Sequence, residues 1–146
     1  MKRIGLGLVF TALSVASAIA GVVLYIVNST GSYYDDFRVL NVVVPLIGIV
    51  LAICPTIAAY TIGEKQWTDV FYVLSSVVLA VAAVWFVAAR VESAGIILGS
   101  RLEAGNQLAK DSLVQAFVGI GCFIASMLFV GVSGFFLQRK QKPVAA

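Results

Sequence analysis

A chain of 146 residues that is 61% hydrophobic and 12% charged, with a mean hydropathy of +1.03, lies far from the roughly 45–50% apolar and about 25% charged composition of soluble domains. A water-soluble globule is thereby excluded as the state of the whole chain. Its 10 Lys and Arg against 7 Asp and Glu leave a net charge of +3, but the basic residues are divided among many segments rather than gathered into a stripe with aromatics, so no nucleic acid is expected as a partner.

Four stretches, Ile4 to Val27, Val39 to Ile62, Val70 to Ala89 and Leu113 to Leu137, contain no Asp, Glu, Lys, Arg or His. Each holds about 20 to 25 residues, which at ~1.5 Å per residue matches a hydrocarbon core of ~30 Å. The fold class read from this pattern is all-α: an integral membrane four-helix bundle of antiparallel, up-down topology, folded as a single transmembrane domain over 1–146. The spans are expected at about 4–27, 39–62, 67–92 and 110–137, with outer loops 28–38 and 93–109, an inner link 63–66 and a basic tail 138–146. Every formal charge falls outside the four stretches, and the bundle interior is therefore expected to hold no ionisable group.

The first span opens after Lys2 and Arg3 and includes Ala18-Ile19-Ala20, the outline of a secretory signal and its cleavage site. The apolar run continues to Val27, about twice the length of a signal core, and reads as a retained helix. Ala12, Ala16 and Ala20, four residues apart, suggest the surface along which a neighbouring helix approaches. The polar run Asn28 to Ser32 marks the exit from the membrane, and Tyr33, Tyr34, Asp35, Asp36 and Arg38 have the mix of aromatics and charges found where a chain meets the headgroup region.

The second span carries Pro45 and Pro55. Each lacks an amide hydrogen and clashes with the carbonyl four residues earlier, so a helix bend is expected, strongest near Pro55, with Thr56 as a donor to the freed carbonyls. Gly63-Glu64-Lys65-Gln66 is a link short enough to make the second and third spans neighbours, with Gly63 suited to a C-cap. Trp67 and Trp85 stand at the two interfaces of the third span.

Beyond Arg90, Val91, Ala94, Leu98 and Leu102 recur at helical spacing, and Ser100-Arg101-Leu102-Glu103 fits a capping box. Helices three and four are accordingly expected to extend into an outer helical hairpin, the third to about Ile97 and the fourth from about Arg101 with a kink at Gly105-Asn106 before Leu113, and with Arg90, Glu92, Arg101, Glu103, Lys110 and Asp111 on its exposed sides. In the fourth span Gly121 and Ala125 repeat the small-residue spacing, with Gly119, Gly131 and Gly134 nearby.

With the N-terminus inside, the inner segments hold Lys2, Arg3, Lys65, Arg139, Lys140 and Lys142, against Arg38, Arg90, Arg101 and Lys110 outside. The positive-inside rule then places both termini in the cytoplasm and the chain in a plasma membrane of bacterial type. Ion-coupled transport lacks its usual intramembrane carboxylate or histidine. Small multidrug exporters share the four-span size but use a Glu in their first helix, and this first helix is uncharged, which argues against that family. With no His, haem or histidine metal sites and His-assisted nucleophiles are absent, and Cys54 and Cys122 lie apart in sequence as small packing residues. No cofactor, metal or catalytic residue is expected.

An inert interior under a charged outer end suits a non-enzymatic accessory or interaction subunit, held in the lipid bilayer with a membrane-protein partner or a second copy of itself. The outer interaction face would comprise Tyr33, Tyr34, Asp35, Asp36, Arg90, Glu92, Arg101 and Glu103. The alternative is a passive channel or transporter for a neutral or apolar solute, using the bend at Pro45 and Pro55.

Overall fold

The computed structural model describes residues 5–63, 66–100 and 105–138. They form four long helices: α1 (Leu6–Ser29), α2 (Leu40–Thr61), α3 (Asp69–Gly99) and α4 (Gln107–Ser133), with a single 3₁₀ turn at Gln66–Thr68 before α3. All four are long and apolar enough to cross a membrane, compatible with a multi-pass membrane protein. Even α2, with 22 residues, reaches about 33 Å at ~1.5 Å per residue.

What turns these helices into a bundle is a buried seam on each, stepping alternately by four and three residues. On α1 it runs through Gly7, Thr11, Ser14, Ala18, Gly21, Tyr25 and Asn28. On α2 it is Asn41, Pro45, Gly48, Ala52, Pro55 and Ala59, and on α3 Tyr72, Ser75, Leu79, Ala82 and Phe86. Leu113, Ala116, Ile120 and Phe123 continue the pattern on α4. An average step of about 3.5 residues keeps one face of a helix against its neighbour over many turns, as in coiled coils and four-helix bundles. α1 packs most extensively against α4, α4 against α3, α3 against α2, and α2 closes the ring on α1. Thr11 meets Ser133, Ser14 meets Ser126 and Asn28 meets Ser112, so positions on α4 fall as those on α1 rise.

Close approach depends on what the seams lack. A Cβ on Gly119 would lie 2.7 Å from the Phe86 ring, and one on Gly48 would lie 2.9 Å from Leu79. Small residues thus receive the large ones from the facing helix, which gains dispersion contacts that a lipid tail would not match. Phe86, Phe123, Leu79, Tyr25 and Val130, all at most 1% exposed, fill the centre. Val9, Leu13, Ile19 and Val23 of α1 point outward, as do Val43, Ile47 and Val50 of α2, Val73, Val77 and Val84 of α3, and Val114, Phe117 and Leu128 of α4.

Several local expectations change. Ala12 and Ala16 are exposed and Ala20 is only half buried; the four-residue stripe lies beside the seam instead of on it. α4 begins at Gln107, not near Arg101: Ser100 is extended (φ −97, ψ 134), while Asn106 is the N-cap and its side chain accepts the Ala109 amide at 3.1 Å. Gly105-Asn106, expected as a kink, is thus where α4 starts. The Arg101 and Glu103 half of the proposed capping box lies outside the described residues. α4 ends at Ser133, short of the expected 137, because the chain then turns back on the bundle. Pro45 and Pro55 both lie inside the continuous α2 and are buried on its seam. Gly63 takes φ +84 just after the helix, the left-handed conformation of a C-terminal cap.

Candidate functional site

Arg90 is the largest fully buried side chain, 2% exposed, against the expectation of an interior without ionisable groups and of Arg90 on an exposed side. It lies four residues beyond Phe86, a second successive step of four that departs from the alternation, and turns inward where the end of α1 and the loop between α1 and α2 converge. Burying a guanidinium is tolerated only when its donors are satisfied, and here all are. Nε donates to Asn28 Oδ1 at 2.7 Å. Nη1 donates to Asp36 Oδ2 at 2.6 Å and to the Ala89 carbonyl at 3.1 Å. Nη2 donates to Ser29 Oγ at 2.7 Å and to Asp36 Oδ1 at 2.9 Å.

The Asp36 fork is the bidentate geometry that makes arginine–carboxylate pairs strong and directional. The Tyr34 ring closes the other side, its centroid 3.9 Å from the guanidinium carbon, a cation–π contact strengthened by desolvation. Asp36, with its side chain 44% exposed, is the point where water reaches the pair. The Asp36 amide also donates to the Ser29 carbonyl at 3.2 Å. A guanidinium with every donor engaged has no hand left for an incoming anion; what it does is pin the loop between α1 and α2 to α1 and α3.

A second polar group extends the clamp. Tyr25 Oη accepts from the Arg38 amide at 3.0 Å and from Asn41 Nδ2 at 3.1 Å, joining the end of α1 to the start of α2. Asn28 Nδ2 donates to the Ser112 carbonyl at 2.7 Å, joining it to α4. One asparagine therefore links Arg90 to the fourth helix.

Of the residues expected on an outer face, the structure gathers Tyr34, Asp36 and Arg90 into this cluster. Tyr33 lies half buried edge-on to Tyr34, with ring centroids 4.8 Å apart, and packs with Ile97, Ala109 and Leu113. Asp35 and Glu92 are exposed and stand apart. Arg101 and Glu103 lie outside the described residues. Sequence reading missed Asn28, Ser29, Tyr25 and Asn41; for Asn28, Tyr25 and Asn41 the signal was available in their seam spacing.

The opposite end has its own polar knot, built around Gln138. Expected as the first residue of a basic tail, Gln138 is 4% exposed. Its Oε1 accepts from Thr56 at 3.1 Å and from Thr11 at 3.4 Å, and its Nε2 donates to Ser133 Oγ at 3.1 Å. Thr56 therefore serves Gln138 and not a carbonyl freed by proline. The backbone joins in: Gly5 and Gly7 donate their amides to the carbonyls of Gln138 and Leu137 at 3.1 and 3.2 Å, occupying donors that the first turn of α1 leaves free. A Cβ on Gly5 or Gly7 would overlap this segment, so both positions need glycine for close approach.

Tyr72 comes near Thr11, Thr56 and Ser133, yet its buried hydroxyl forms no hydrogen bond of good geometry among the described residues. An unmade bond of this kind costs about 1–3 kcal/mol. A cavity of about 320 Å³ adjoins the knot, lined by Pro55, Ala59, Asp69, Tyr72 and residues 134–138.

No family model, curated protein or solved structure matches this chain. Functional reading therefore rests on these two polar ends and on the filled interior between them.

Proposed function

We propose that this chain is a four-span membrane protein of up-down antiparallel topology, with both termini cytoplasmic, in a plasma membrane of bacterial type, and that it serves as a non-enzymatic accessory or interaction subunit. The observation that carries this reading is the interior. Tyr25, Phe86, Phe123 and Leu79 fill it across the middle, while hydrogen-bonded clamps hold both ends. Such a body is suited to present a fixed surface, and the clamp at Arg90 holds Tyr33 and Asp35 in place at the outer end. The excess of Lys and Arg over the inner segments supports the orientation.

Gentle extraction in mild detergent followed by identification of co-purifying proteins tests the proposal. A stoichiometric partner, or a stable homo-oligomer, is the expected result. A solitary monomer under every mild condition would contradict it.

One observation favours a second reading. The hydroxyls of Thr11, Thr56, Tyr60, Tyr72 and Ser133 cluster beside the cavity at one end of the bundle, and a polar recess of that kind suits a passive path for a neutral solute. Flux into reconstituted vesicles that disappears on Thr56→Val would move this reading ahead of the first.

A further inference from the structure

We infer that residues 134–138 form a strap that opens and closes over a hydroxyl-lined recess, the strap being latched by Gln138 and the recess accepting water and small neutral hydrogen-bonding molecules. The latch does not depend on whether the bundle has a partner. Its evidence is local. α4 ends at Ser133, and the segment after it leaves the helix and crosses to α1, where its polar hold among the described residues centres on Gln138.

Gln138 Oε1 accepts from Thr11 and Thr56, Nε2 donates to Ser133, and the backbone carbonyl accepts from Gly5 and, at 3.4 Å, from Tyr60 Oη. The apolar hold beside them is slight: Phe136 stacks on Phe10 with ring centroids 5.5 Å apart, while Phe135 is 88%, Leu137 52% and Phe136 41% exposed. A segment held by a handful of hydrogen bonds with little buried apolar surface belongs to the low-stability end of a fold, where local opening is separable from global unfolding.

Beneath the strap the chemistry is suited to hydration. Withdrawing Gln138 frees one hydrogen-bonding position on each of Thr11, Thr56 and Ser133, with Thr11 and Ser133 still bonded to each other and to the Gly7 carbonyl. Beside them stands Tyr72, whose hydroxyl has no hydrogen-bond partner among the described residues. A buried site holds water when it offers two to four polar partners and sufficient room; Tyr72 and Gln138 line the adjoining cavity of about 320 Å³ and connect that room to the hydroxyls of Thr11, Thr56 and Ser133 behind them. The closed strap therefore substitutes one carboxamide for solvent. Deeper in the bundle the polar path narrows to Ser14 and Ser126, each bonded to the other's carbonyl, at 2.9 and 2.8 Å, and above them Phe123 and Phe86 close it. The recess is a dead end reached from one side.

Thiol accessibility in lipid nanodiscs tests this with the full chain, after Cys54→Ala and Cys122→Ala. Thr11→Cys reports on the recess and Ser126→Cys on the bundle beyond it, both read with a charged methanethiosulfonate reagent. Thr11→Cys is expected to react at least tenfold faster than Ser126→Cys, and Gln138→Ala to raise the Thr11→Cys rate at least another tenfold while leaving Ser126→Cys unchanged. Gly7→Ala, which pushes the strap away without altering it, should act in the same direction. Equal inertness of the two thiols, or no response at Thr11→Cys to either substitution, would overturn the latch. A parallel rise at both thiols would also overturn it, because the strap would then open only with the whole bundle.

Discussion

Arg90 and Asp36 are the pair that clamps the α1–α2 loop to the bundle, and their unequal exposure, 2% against 44% for the two side chains, makes a specific expectation. Asp36→Ala leaves a buried guanidinium short of its counter-charge, which should cost about 3 kcal/mol or more. Replacing both, as Arg90→Met with Asp36→Ala, removes the buried charge altogether and should cost less than Asp36→Ala alone. Thermal unfolding in detergent reads the difference; a double variant no more stable than the single would mean the arginine tolerates solitude. At the middle of the bundle the serine pair has a smaller role. Side-chain hydrogen bonds between membrane helices contribute about 0.6 kcal/mol each, so Ser14→Ala with Ser126→Ala should lower stability by roughly 1 kcal/mol, and a loss several times larger would show that the pair does more than join α1 to α4. Arg90 escaped sequence reading because it was judged by its charge and its place just past an apolar stretch. Arg90 stands a second successive four-residue step from Ala82 and Phe86, so helical spacing keeps it on the buried side even though the strict alternation of α3 would pass through Ala89 instead.

Helix ends decide the shape of the hairpin between α3 and α4. The Asn106 side chain accepts the Ala109 amide, so Asn106→Ala should lose about 1 kcal/mol, measured by the same thermal unfolding. No loss would mean that this cap does not set the start of α4. Ser100 and Glu103 stand three apart as a capping box would have them, with Glu103 outside the described residues; Gly105-Asn106, read as a kink, holds the residue that accepts the amide at the start of α4. The existence of all four helices was legible because an uncharged run of 20 or more residues has few alternatives in lipid. Their inward faces were less so. In α1 nearly every position is apolar or small, and hydrophobicity alone cannot then select a face; the polar residues Thr11, Ser14 and Asn28, on one seam with Gly7, Ala18 and Gly21, carry the information. The strap of 134–138 was illegible for another reason, since Phe135, Phe136 and Leu137 continue the apolar run of α4 and only tertiary contact reveals that they leave the helix.

Across the whole molecule, a polar clamp at each end and a filled apolar centre surrounded by outward Val, Leu and Ile describe a bundle compatible with a lipid surround. In the membrane proposed for it, this outer surface meets acyl chains while the alternating four-and-three seam faces inward. The most direct measurement is a spin-label scan of α1 from Leu13 to Val27 in bilayers, comparing accessibility to oxygen with accessibility to a water-soluble nickel chelate. The account predicts high oxygen accessibility at Val23 and Val27, which are 51% and 48% exposed, with minima at Ser14, Ala18, Gly21 and Tyr25. Nickel accessibility throughout the scan, or oxygen minima at Ala16 and Ala20 instead, would contradict it.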